Sequence, residues 1–386
     1  MKFLRIIIAG IFLICLLVIQ LPVTVARGES AEPQITAQSA ILIEASTGRV
    51  IWEKDADAKH YPASTTKMMT GILGLENLPP HAEVFISPNA SATEDCFLEI
   101  HAGERLTADE LITGMLMVSD NGAAVAIAEQ LDGNVSAFAK RMNAKAEELG
   151  MEHTHFANPN GLPNPDHYST VRDMAKLARY AMDNQRFREI VAQKDRTIYW
   201  AFPKTKHLAV ENSNKLLGHY EGMNGIKTGW TKISGGCLAA SAKRNGVELI
   251  VVLMQTPTPD DRFSDARKIL DYGFSQVHMV KGISKERVNC TAWVKDGTQA
   301  TVKLHPVSDI NYPLIDNETP EHYTLSYDVP KVLTAPLKDG EPVGKVTIRY
   351  DGEPVGSVEM TADKVQKGFS ISSWLVDVFE GLLQRI

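Results

Sequence analysis

Two strand-forming runs, Gly235 to Lys243 and Val247 to Gln255, limit what this chain can fold into before anything else is read. They flank Arg244-Asn245-Gly246, and Asn-Gly between such runs is a strong hairpin signal. A second hairpin is expected far upstream. Ala40-Ile41-Leu42-Ile43 and Val50-Ile51-Trp52 bracket the turn Ser46-Thr47-Gly48. Between the hairpins the pattern is helical, at Thr107 to Leu131, Val135 to Leu149 and Val171 to Asn184, and another helix is expected from about Asp260 to Tyr272. Strands at both ends with helices between them predict one antiparallel sheet built from both ends, with helices packed on it. The fold class is thus α/β in the broad sense, α+β in the strict one.

At 386 residues the chain can hold two or three domains. From about residue 283 the texture changes to short alternating stretches, Thr301 to Leu304, Val346 to Tyr350 and Val355 to Met360, with turns at Lys338-Asp339-Gly340 and Asp351-Gly352. These predict a small all-β domain over 283–365. The composition, 44% hydrophobic and 23% charged, is that of a globular protein. A net charge of −7 with no Lys/Arg-rich block argues against a nucleic-acid partner.

Both ends of the chain carry signals of their own. Lys2 and Arg5 precede the apolar run Ile6 to Leu21, and Thr24-Val25-Ala26 supplies small residues for cleavage after Ala26. Residues 1–26 read as a secretory signal peptide, with an uncleaved anchor as the alternative. Residues 27–37 are polar and read as a flexible lead-in. At the other end, Ile371, Trp374, Leu375, Val378, Phe379, Leu382, Leu383 and Ile386 recur at helical spacing, opposite Ser372, Ser373, Asp377, Glu380, Gln384 and Arg385. Residues 369–386 are too short to cross a bilayer and read as an amphipathic helix lying on the membrane surface; packing on the protein's own core is the alternative. The expectation is export across the cytoplasmic membrane and tethering to its outer face. Cys15 lies in the apolar run, and Cys96, Cys237 and Cys290 make no disulfide framework. No Cys-x-x-Cys or His-Glu-x-x-His spacing is present, and His153-Thr154-His155 reads as a loop, so neither metal nor cofactor is expected.

Three short motifs carry the chemistry: Ser64-x-x-Lys67 at a helix start, Ser119-Asp120-Asn121 in a loop, and Lys227-Thr228-Gly229 near a strand end. Each alone is weak; together, in this order and these contexts, they form a specific signature. Residues three apart on a helix share a face, so Ser64 and Lys67 can touch. A serine hydroxyl needs a base to become a nucleophile, and Lys67 is one only when neutral, which burial and a second cation, Lys227, favour. The N–H groups of Ser64 and Trp230 are candidates for an oxyanion hole. Ser119 is placed to relay a proton to a leaving amine and Asn121 to orient a substrate amide. Lys227 and Thr228 offer a cation and a hydroxyl to a substrate carboxylate.

On these motifs the chain resembles the serine-type D-Ala-D-Ala carboxypeptidases, the low-molecular-mass penicillin-binding proteins. Tyr61-Pro62-Ala63, Asn158-x-x-Gly161-Leu162 and Asn224-Gly225-Ile226 add to the likeness. It implies a β-lactamase/transpeptidase-like catalytic domain over 35–278 and an acyl-enzyme on Ser64 that releases the terminal D-alanine of a peptidoglycan stem peptide. β-Lactams would be covalent inhibitors. It also implies that Gly229 belongs to the substrate-binding strand and that Arg262 binds the terminal carboxylate. Two positions depart from the usual pattern: Asp120 stands where these carboxypeptidases often have glycine, and Trp230 where histidine or a smaller residue is common. The same motifs serve β-lactamases, D,D-endopeptidases and non-turnover β-lactam sensors. No Glu-x-x-Leu-Asn pattern of the class A β-lactamases occurs between Ser119 and Lys227.

Overall fold

The computed structural model describes residues 31–288 and 290–368; the expected signal peptide and the expected C-terminal amphipathic helix lie outside the described residues. The central sheet has five antiparallel strands: β1 (Ser39–Glu44), β2 (Val50–Lys54), β3 (Met223–Thr231), β4 (Gly235–Arg244) and β5 (Val247–Thr256), in the order β2-β1-β5-β4-β3. The two hairpins meet where β1 pairs with β5, Ser39 opposite Met254 and Glu44 opposite Leu249. β3 is left as an edge.

Alternation along the strands gives each face of the sheet its own core. Leu42, Leu249, Val251 and Leu253 pack with Phe263, Ala266, Ile269 and Leu270 of a helix over Asp261–Gln276. Ile41, Ile43, Ile250, Val252 and Met254 point the other way, into a larger helical layer. That layer contains α1 (Lys67–Asn77), α2 (Ala108–Val118), α3 (Asn121–Asp132), α4 (Val135–Glu148) and α5 (Val171–Asp183); the helix over Asp261–Gln276 follows as α6. The expected single helix from Thr107 to Leu131 is two helices. Ser119 ends the first in the left-handed region (φ 68°, ψ 33°), and Asp120 caps the second by accepting from the Ala123 N–H at 2.6 Å. Short polar side chains favour caps over helix interiors, and here they break a run that looks continuous in its apolar pattern. The end of the polar lead-in is held: Asp265 of α6 accepts from Thr36 N, Thr36 Oγ1 and Ala37 N at 2.8–2.9 Å.

Beyond α6 the chain is all-β. Val277–Ile283 pairs with Ile310–Ile315, and six further strands form a second sheet around Val294, Leu304, Val346 and Met360. Arg49, in the turn between β1 and β2, reaches this part: its guanidinium meets Glu318 at 2.6 Å and lies 4.7 Å from the centroid of the Tyr350 ring. No helix of the described residues is long and apolar enough to cross a membrane.

Candidate active site

The chain enters the site through Tyr61-Pro62 and a single 3-10 turn, Ala63–Thr66, that runs directly into α1. This turn lies against β3, and Gly229 makes the approach possible: a Cβ there would stand 3.0 Å from the Ser64 nitrogen and 3.1 Å from that of Thr65. On its other side the turn is backed by the segment Asn158 to Leu162. Asn158 Oδ1 accepts from Gly161 N at 2.7 Å, and a Cβ on Gly161 would lie 1.9 Å from the Ala63 carbonyl oxygen. Below the turn, Thr66 Oγ1 sits 2.8 Å from His167 Nε2, whose Nδ1 accepts from Ala157 N. Burial lowers His167 to about 4, so the ring is neutral and Nε2 carries the proton.

Lys67 is fully buried, with Ser64 Oγ at 2.9 Å, Asn121 Oδ1 at 2.6 Å and Asn160 O at 2.8 Å from its Nζ. Burial lowers its pKa to about 7, against the opposing pull of Asp120 and Asp95. The three neighbours define what the neutral amine can do. Asn121 Oδ1 and the Asn160 carbonyl are acceptors and take its two N–H groups, which leaves the lone pair for the Ser64 hydroxyl. Asn121 is itself fixed, since its Nδ2 donates to Glu94 O at 3.0 Å. The thiols nearby are no rivals to the serine: burial pushes both Cys96 and Cys237 up to about 11.

In front of Ser64 opens a cavity of about 440 Å³. Ser64, Ser119, Asn121, Thr228, Gly229, Trp230 and Arg262 all line it. Lys227 stands behind that wall, fully buried, with Nζ donating to Thr228 O at 3.0 Å; burial first, then Lys67 and Arg262, lower its pKa well below the usual lysine value. Arg262, near the start of α6, donates from Nη1 to Gly229 O at 2.7 Å, and its Nε is buried without a partner. The cavity also includes residues the motifs did not point to: Asp95, Phe97, Val118, Glu211 and Ser213. Ser213 Oγ lies 2.7 Å from Thr228 Oγ1, so the threonine hydroxyl is oriented by a second one. The only signal for Ser213 was the polar cluster Asn212-Ser213-Asn214, which by itself reads as a turn. Asn160 enters through its backbone, which no side-chain motif can announce.

With this geometry in view, the likeness to known proteins is specific. Residues 26–258 match the model of the peptidase family described as D-alanyl-D-alanine carboxypeptidase, and residues 278–367 match the C-terminal domain of penicillin-binding protein 5. The chain is 31% identical over 318 residues to D-alanyl-D-alanine carboxypeptidase DacF of Bacillus subtilis and 32% identical over 328 residues to DacA of Haemophilus influenzae, covering 81% of both chains in each case. Among solved structures, penicillin-binding protein 5 from Haemophilus influenzae superposes with a TM-score of 0.64 at 30% identity, over 87% of this chain and 99% of that one. The Streptomyces K15 DD-transpeptidase does so with a TM-score of 0.61 at 32% identity, over 64% and 99%. A buried lysine against a serine at a helix start, in a chain matched over both its parts, has one reading: this protein belongs to the D-alanyl-D-alanine carboxypeptidase family of serine peptidases.

Proposed function

We propose that the family's reaction, release of the terminal D-alanine from a peptidoglycan stem peptide, runs here through an ester on Ser64 with Lys67 as the base. Ser64 Oγ attacks the carbonyl carbon of the penultimate D-alanine while its proton passes to Lys67 Nζ. The oxyanion is met by the N–H groups of Ser64 and Trp230. As the C–N bond breaks, Ser119 hands a proton to the departing amine, and Asn121 holds the donor peptide's amide. Water then cleaves the ester. Lys227 backs the wall with its Nζ on Thr228 O, while Thr228, supported by Ser213, and Arg262 receive the terminal carboxylate. The observation that carries this reading is the amine of Lys67 held between Asn121 Oδ1 and Asn160 O, with Ser64 Oγ as its third neighbour.

Ser64→Ala is expected to abolish both penicillin labelling and D-alanine release while leaving the melting temperature near that of the wild type. A penicilloyl adduct found by mass spectrometry on the Ser64→Ala protein would sink the assignment. Hydrolysis of penicillin beside D-alanine release separates a carboxypeptidase from a β-lactamase or a sensor on the same scaffold. The reading extends to location: export directed by residues 1–26, a catalytic domain over 35–278, a β domain over 283–365, and a membrane-surface helix over 369–386.

A further inference from the structure

A second cavity, of about 450 Å³, lies beside the site and is lined by Lys59, His60, Tyr61, Tyr168, Ile233 and Ser234, with Pro165 and Gln255. We propose that it is the subsite for a carboxylate carried by the donor peptide, two to three residues back from the bond that is cut. The inference rests on the reading above, in which the terminal carboxylate lies at Thr228 and Arg262.

Position is the first argument. β3 is the edge of its sheet, so beyond the Thr228 and Gly229 carbonyls, which Lys227 and Arg262 occupy, its outward N–H and C=O groups have no strand partner and can pair with an extended peptide. If the peptide's terminus is held at Thr228 and its carbonyl at Ser64 beside Gly229, the rest of the donor must run on toward Trp230 and Thr231. The second cavity lies in that direction. Ile233 and Ser234 belong to the turn between β3 and β4, and Ser234 is tied to Thr231, its Oγ 2.6 Å from Thr231 Oγ1. Tyr61, three residues before the nucleophile, has its carbonyl 3.6 Å from Cys237 Sγ, and Cys237 is the residue paired with Gly229. From Gly229 to Thr231 is about 7 Å along the strand, and the turn adds a few more. An extended peptide covers ~3.3–3.6 Å per residue, so the second or third residue back from the scissile bond arrives there.

Charge is the second argument. The reaction cavity has Asp95 and Glu211 in its wall; the second cavity has no acidic side chain. Its cation is Lys59, exposed, with Nζ 4.3 Å from the centroid of the Tyr168 ring and paired with no carboxylate among the described residues. The pKa of His60 is lowered by burial, against the opposing pull of Gln255 and Asp55, and its Nε2 lies 2.8 Å from Ser39 Oγ. Tyr61, Tyr168 and the Gln255 amide supply uncharged donors. A lysine braced on an aromatic face, with neutral donors around it, suits a carboxylate and disfavours an ammonium.

The test uses two series of peptides that all end in D-Ala-D-Ala and carry, at the second or at the third residue back from the scissile bond, either a side-chain carboxylate or its amide. The wild type is expected to favour the carboxylate about two- to fivefold in kcat/KM, through KM, the scale of an exposed ion pair. Lys59→Ala should erase that preference, and Lys59→Glu should reverse it, with the amide peptide cut equally by all three proteins. A wild type with no preference in either series, or a preference that survives Lys59→Glu, overturns the proposal. Orientation is checked separately with Arg262→Ala on a free and an amidated D-alanine terminus. Equal losses there would defeat the carboxylate reading of the reaction cavity; a selective loss there with no Lys59 effect would defeat the second subsite alone.

Discussion

As the proposed base, Lys67 has two requirements that conflict. It must be buried to lose its proton near neutral pH, and a buried amine must still satisfy its N–H groups. Asn121 Oδ1 and the Asn160 carbonyl meet the second requirement with neutral acceptors, where a carboxylate in their place would have kept the lysine charged. With its pKa lowered to about 7, the fraction of Lys67 able to act as a base grows as pH rises through that value. The second-order rate of penicillin acylation is therefore expected to climb between about pH 6 and pH 8 and then level off; a rate flat across that range would place the base elsewhere. Lys67→Arg keeps the charge but cannot supply a neutral base, so acylation should fall by roughly 10² or more. Near-wild-type labelling of that variant by fluorescent penicillin would contradict the role given to Lys67.

The 3-10 turn that carries Ser64, the proposed nucleophile, is shaped by what presses on it from both sides. Gly229 lets β3 come within reach of the Ser64 and Thr65 nitrogens, and Gly161, at φ +84°, lets the Asn158–Leu162 segment lie against the Ala63 carbonyl. Gly161→Ala adds a Cβ where backbone already stands, so the segment must shift and carry the Asn160 carbonyl away from Lys67. The expected result is a melting temperature lower by several degrees and acylation slowed at least tenfold, at roughly 1–2 kcal/mol for a non-glycine residue in the left-handed region plus the clash. Unchanged melting and acylation would mean the contact does not constrain the turn. Much of this was legible in the chain. Ser64 with Lys67, the Asn245-Gly246 hairpin and the sheet drawn from two distant segments all follow from local spacing and turn chemistry. What stayed hidden has a common cause. Asn160 acts through its backbone, and Ser213 and Glu211 reach the cavity only through the tertiary path between α5 and β3, while the break at Ser119-Asp120 was given by the loop context of its motif and contradicted only by the apolar periodicity of the helices on either side. Asp120 shows what that break provides: its carboxylate accepts from Leu98 N at 2.7 Å and Ala123 N at 2.6 Å, pinning the Phe97-bearing loop to the start of α3.

At the scale of the whole molecule, the catalytic part is joined to the β part through the run from α6 into Val277–Ile283 and through Arg49, whose guanidinium lies between Glu318 and the rings of Tyr323 and Tyr350. None of the site's side chains comes from beyond Arg262. Removal of the residues after 368 is therefore expected to leave the hydrolysis of soluble peptides unchanged, and, if the proposed membrane-surface helix over 369–386 is the anchor, to release the protein from membranes. D-alanine release checks the first half, and sedimentation of membrane fractions checks the second. A truncated protein that still sediments with membranes would shift the anchor to the N-terminal segment.

The sheet that joins β1 to β5 also sets when this protein can act. Ser64 and Lys67 leave the ribosome early, but Gly229, against which the nucleophile's turn is built, and Arg262 come much later, and β1 has no partner on its inner side until β5 is made. At ~5–20 residues per second the gap is on the order of ten seconds. During that time the serine and its lysine exist with no strand edge beside them and no cavity in front. A nascent chain that ends before Gly229 thus carries Ser64 and Lys67 without the strand against which their turn is built. Synthesis and activity are separated by the order of the sequence itself.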